Sequence, residues 1–169
     1  MMKNNRGFSY VELILVLAIM AIATGLISLS IGLVGRTNVS KGADKLYSSF
    51  EQARASAMGK PDTVLELSCV EGTYYCYVGS ASASATDKEE ARKEIVTSPV
   101  EIKYVLSGTP DSMATLQSGT IVFKYDQATG AFKKSPTLGD YCDQIVITNG
   151  NTMATIKMYP ATGKIELVY

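Results

Sequence analysis

Residues 13–35 carry no charge and form the one long apolar run of the chain. At 1.5 Å per residue this is about 34 Å of helix, and about 20 apolar residues suffice to span a bilayer. Lys3 and Arg6 precede the run, which places that end on the cytoplasmic side. One acid, Glu12, stands at the head of the run. A carboxylate at the centre of a bilayer costs roughly 2.5–3.5 kcal/mol on insertion scales, so Glu12 needs a partner.

Beyond Gly35 the pattern changes without breaking. Val39, Ala43, Leu46, Phe50, Ala53 and Ala57 recur at steps of three and four, one apolar stripe at helical period. Lys41, Asp44, Lys45, Glu51, Gln52 and Arg54 occupy the other faces. Gly59, Lys60, Pro61 and Asp62 supply a stop signal. The spacing predicts one helix from Phe8 to about Met58. Its first half is apolar all round and its second half amphipathic, with the Phe50 stripe turned to a sheet.

Residues 63–169 supply that sheet. Strand patterns fall at 63–69, 74–78, 101–106, 121–125, 131–133, 145–148, 155–159 and 164–169, separated by turn signals. Asn149-Gly150-Asn151 is a hairpin signal. Residues 79–87 are rich in Ser, Ala and Gly and read as an exposed loop. Residues 88–94 are a charge run, a solvated face or a short helix. Seven or so short strands with close turns imply an antiparallel sheet. The expected fold class is therefore α+β, a long N-terminal helix packed on a C-terminal antiparallel β-sheet.

Composition narrows the function. Sixteen basic and sixteen acidic residues balance, and there is no histidine, which removes the commonest general base and metal ligand. No P-loop, dinucleotide-binding fingerprint or G-x-S-x-G motif is present. Nothing argues for an enzyme, a cofactor or a resident metal. The C-terminal stretch "PATGKIELVY" has one lysine and one glutamate, so a nucleic-acid partner is disfavoured.

Three readings of the N-terminus compete. Ala21-Ile22-Ala23 is a signal-peptidase pattern, but the apolar run continues to Val34. A plain membrane anchor would leave Glu12 snorkelling at the interface and present the outer domain as a binding module or adhesin. The third reading uses every feature in order: Lys3 and Arg6, Gly7, Phe8, Glu12, then the apolar helix. This series resembles the class III signal of type IV pilins and pilin-like pseudopilins.

The resemblance implies a leader at 1–7, cleavage between Gly7 and Phe8, and N-methylation of Phe8. It implies a transmembrane or filament-core helix at 8–35, an amphipathic half at 36–60 and a globular sheet domain at 61–169. The implied partners are other pilin subunits, the prepilin peptidase, the membrane and an inner-membrane assembly platform. The precursor would be a single-pass protein of the cytoplasmic membrane with its C-terminal domain outside, later part of a surface pilus or pseudopilus. Cleavage removes Lys3 and Arg6, leaving the mature chain two charges to the acidic side, and creates an amine on Phe8. That cation on a neighbouring subunit can compensate Glu12, and fixing register is the best-attested use of such a pair. The chain departs from many pilins in having no proline before Pro61. Residues 46–60 ("LYSSFEQARASAMGK"), 119–132 ("GTIVFKYDQATGAF") and 155–167 ("TIKMYPATGKIEL") further resemble the GspH/FimT type of minor pilins and pseudopilins.

Cys69, Cys76 and Cys142 are an odd set. If Gly72-Thr73 is a two-residue hairpin turn, Cys69 lies opposite Cys76 and a cross-strand disulfide is geometrically feasible. Cys142 could instead pair with either, as pilins often do near the C-terminus. The three thiolates could also hold a metal together with Asp140 or Asp143, or all three could stay free and buried.

Overall fold

The computed structural model describes residues 10–109 and 112–169, leaving out the side chains of 25–35. It divides into two compact units, Met1–Val34 and Gly35–Tyr169.

The first element is α1 (Tyr10–Gly59), with Glu12 in its first turn. It ends at the glycine the sequence marks, where Lys60 N–H donates to Ser56 O at 2.8 Å. Among the described residues no helix is long and apolar enough to cross a membrane. The described side chains of the apolar run stop at Thr24, short of the roughly 20 residues a span takes.

In the second unit, β1 (Thr63–Val70) and β2 (Thr73–Ser80) form a hairpin. The short helix α2 (Ala85–Ala91) and β3 (Lys93–Thr97) follow, then β4 (Glu101–Leu106) and β5 (Met113–Thr115). The remaining strands are β6 (Gly119–Tyr125), β7 (Phe132–Lys133), β8 (Cys142–Thr148), β9 (Met153–Tyr159) and β10 (Lys164–Val168). All the pairings are antiparallel. The sequence reading of a single sheet is corrected: the described residues form two five-stranded sheets, ordered β3-β2-β1-β6-β7 and β10-β9-β8-β4-β5. The break comes at Ser98-Pro99, after β3. Proline has no N–H to continue a ladder, and Val100 N–H instead closes a turn on Thr97 O at 3.2 Å. β4 then founds the second sheet, and β6 returns to pair with β1.

The stripe of α1 forms the centre of the core. Val39, Ala43, Leu46, Phe50, Ala53 and Ala57 are each 0–2 % exposed. They share one apolar cluster with Leu65, Leu67 and Phe123 of the first sheet and Ile102, Ile145 and Ile156 of the second. Phe50 meets Phe123 and Phe132 edge-on, with ring centres 5.0 and 6.2 Å away. The Tyr125 hydroxyl donates to Phe50 O at 3.2 Å, giving a buried phenol the partner it requires. Earlier in the helix, Lys45 Nζ donates to Glu94 O at 3.2 Å. Tyr169 Oη donates to Asp44 Oδ1 at 2.5 Å, joining residues 125 apart in sequence.

Two turns of like build meet beside the C-terminal part of α1. Ala128-Thr129-Gly130 and Ala161-Thr162-Gly163 each end on a glycine with positive φ, 68° and 65°. Gly130 N–H closes on Asp126 O at 2.8 Å, and Gly163 N–H on Tyr159 O at 2.9 Å. The turns touch so closely that a Cβ on Gly163 would lie 1.7 Å from Gly130 O. Phe132 N–H crosses from the first sheet to Pro160 O at 3.0 Å, and Arg54 Nη2 of α1 donates to Thr162 O at 2.9 Å.

Candidate functional site

The N-terminal part of α1 is the most unusual surface of the chain. Every described residue from Tyr10 to Thr24 is exposed. The large apolar side chains range from 47 % exposed at Val16 to 78 % at Tyr10. Soluble monomers rarely show contiguous apolar patches beyond a few hundred Å², and here the exposure runs around the whole helix. A helix apolar on every side is stable against apolar surroundings rather than water.

Glu12 is the only charge on it. Its place in the first turn of α1 suits the positive end of the helix dipole. The ion pairs found among the described residues do not include it. Among the described residues, then, one carboxylate stands on an apolar rod and no cation pairs with it. Gly7, Phe8, Lys3 and Arg6 lie outside the described residues.

The cysteines do not form a second site. All three are free and buried. The hairpin turns at Glu71-Gly72, both with positive φ (50° and 75°), as a tight two-residue hairpin requires. This is one position earlier than the Gly72-Thr73 turn. The register moves with it, so Cys69 faces Tyr74 and Cys76 faces Leu67, and the direct Cys69–Cys76 pairing is not formed. Cys142 donates its thiol to Gln144 O at 3.3 Å. Burial pushes the Cys76 and Cys142 thiols up to about 12, so neither is a thiolate nucleophile at neutral pH. Among the described residues no three Cys, Asp or Glu side chains converge as a metal site would need. The Asp140 carboxylate is held instead by Tyr141 N–H at 2.9 Å and Lys134 Nζ at 3.3 Å, which lower its pKa.

The N-terminal segment matches the family model of the prokaryotic N-terminal methylation motif, over residues 2–28. The match supports a type IV pilin-like or pseudopilin precursor. No curated protein and no solved structure matches the chain.

Proposed function

We propose that the chain is a structural subunit of a type IV pilus or a type II secretion-like pseudopilus. A prepilin peptidase cuts after Gly7 and methylates Phe8. The precursor spans the cytoplasmic membrane once through residues 8–35, with the sheet unit outside. On assembly the apolar helices leave lipid for one another, and Glu12 pairs with the Phe8 amine of a neighbouring subunit. Other pilin subunits, the peptidase and an inner-membrane assembly platform are its partners. The similarity at 46–60, 119–132 and 155–167 favours a minor subunit of the GspH/FimT type.

The observation that carries this reading is the joint one. Within the segment matching the methylation motif, residues 10–24 are mostly apolar and exposed on every side, with Glu12 their single charge. An anchored binding module would use the same apolar length but has no need of that carboxylate. The test is the mass of the N-terminal peptide of the protein from its native host. A start at N-methylated Phe8 is expected. An intact N-terminus leaves an anchored module that does not polymerise, and a start at Thr24 makes it a secreted domain. Glu12→Ala then separates insertion from assembly: membrane fractionation stays normal and the subunit disappears from sheared filaments or from pseudopilus cross-links. Wild-type incorporation of Glu12→Ala would remove Glu12 from the mechanism.

A further inference from the structure

The charge run between β2 and β3 folds as α2, and no residue of α2 is buried. A seven-residue helix is far below the length that holds itself together in water, and α2 has no apolar anchor to compensate. Cations fasten it. Lys88 Nζ lies 2.6 Å from Glu66 Oε1 of β1, with the two side chains only 22 % and 19 % exposed. The same ammonium stands 5.7 Å from the centre of the Tyr77 ring of β2. The Arg92 guanidinium sits 4.2 Å over the Tyr75 ring, also of β2, and pairs with Glu89 at 3.0 Å. A cation over an aromatic ring is attracted by the negative face of the π-system.

The ends of this segment are fixed. On entry, Asp62 Oδ2 accepts from the Ser80 hydroxyl, from Ser82 Oγ at 2.8 Å and from Ser82 N–H at 3.2 Å. On exit, Lys93 already pairs with Cys76. Ser84 caps the helix by accepting from Asp87 N–H. The segment therefore has two pinned ends, a pre-set helical turn and no buried side chain between them in α2. Beneath it, Glu66, Ser68, Tyr77 and Thr120 line one cleft together with Lys88 and Arg92.

We propose that residues 83–92 form a releasable strap over the first sheet, fastened by Lys88 and Arg92, which opens while the sheet beneath stays folded. Opening uncovers Glu66, Tyr75 and Tyr77 and leaves β1 and β2 paired. Local opening of this kind is expected where few buried contacts oppose it.

Hydrogen exchange on the full chain in detergent micelles at neutral pH tests this. The reporters are the Lys88 and Arg92 amides, bonded to Ser84 O and Lys88 O at 3.0 Å each, set against Leu65 and Leu67 in β1. In the wild type the strap amides should exchange at least about a hundredfold faster than those of β1. Lys88→Met with Arg92→Gln should accelerate the strap a further tenfold or so while β1 and β2 keep their rates. Glu66→Gln, which preserves shape, should accelerate it several-fold. Strap amides that exchange at the β1 rate overturn the proposal. So does loss of β1 and β2 protection in step with the strap, or a Glu66→Gln strap that exchanges as slowly as wild type.

Discussion

The two parts of α1 handle apolar residues in opposite ways. From Tyr10 to Thr24 they surround the helix and all are exposed. From Val39 to Ala57 they keep to one stripe and all are covered by the chain's own sheets. A stripe asks for one partner surface, and a 135-residue unit can fold to provide it. An all-round apolar rod asks for an apolar medium, which a single globular unit does not supply. The difference separates what this sequence covers by folding from what it leaves exposed among the described residues.

The comparison breaks most sharply at Phe50. Phe50→Ala empties a site in contact with Phe123 and Phe132 and should cost about 3–5 kcal/mol. Leu17→Ala, in the exposed part, should change stability by less than about 0.5 kcal/mol. Denaturant unfolding of the full chain in micelles measures both, and equal losses would erase the distinction. Gly163→Ala comes next. It forces a side chain into a positive-φ position and against Gly130 O, so a loss of about 2–3 kcal/mol is expected in the same assay.

Tyr169→Phe is smaller. It deletes the hydrogen bond to Asp44 at an exposed site and should cost about 0.5–1 kcal/mol. Asp44 raises the pKa of Tyr169 through that bond, so ultraviolet titration of the variant should lose one phenol that titrates above the ordinary tyrosine value. The smallest effect is in acid. Asp62 is held below its usual pKa by Ser80 and Ser82, and Asp126 by Thr129. A depressed carboxylate stabilises above its unfolded value, near 3.9, and loses that contribution as pH falls through the folded value. Between pH 5 and 2.5 the wild-type thermal midpoint should therefore fall slightly more than that of Asp126→Asn.

The stripe, the stop at Gly59 and the late hairpins were legible because each is a local pattern of period 3.6 or 2 with turn chemistry at its ends. β3 was not legible. It begins at Lys93 inside a run of charges, where the edge of a sheet tolerates polar residues. The Glu71-Gly72 turn was missed by one position because a non-glycine residue, Glu71, takes positive φ there. That small shift undid the cysteine pairing. The division into two sheets and the meeting of Gly130 with Gly163 depend on contacts between segments distant in sequence, which no window of residues reports. At the candidate site, the motif matched over residues 2–28 was readable because its residues stand close together in sequence order. Lys88 and Arg92 as fasteners were not readable, since a charge run gives no sign of which cations find Glu66 and Tyr75.

The closure of the helix stripe has a kinetic consequence. Residues 39–57 leave the ribosome before any strand that covers them, and that cover includes contacts as remote as Asp44 with Tyr169. Folds governed by such distant pairings mature in milliseconds to seconds rather than microseconds. During that interval the stripe is wetted. The delay before β8 to β10 arrive is thus a hazardous interval for this protein, when the uncovered stripe of α1 can recruit the wrong neighbour.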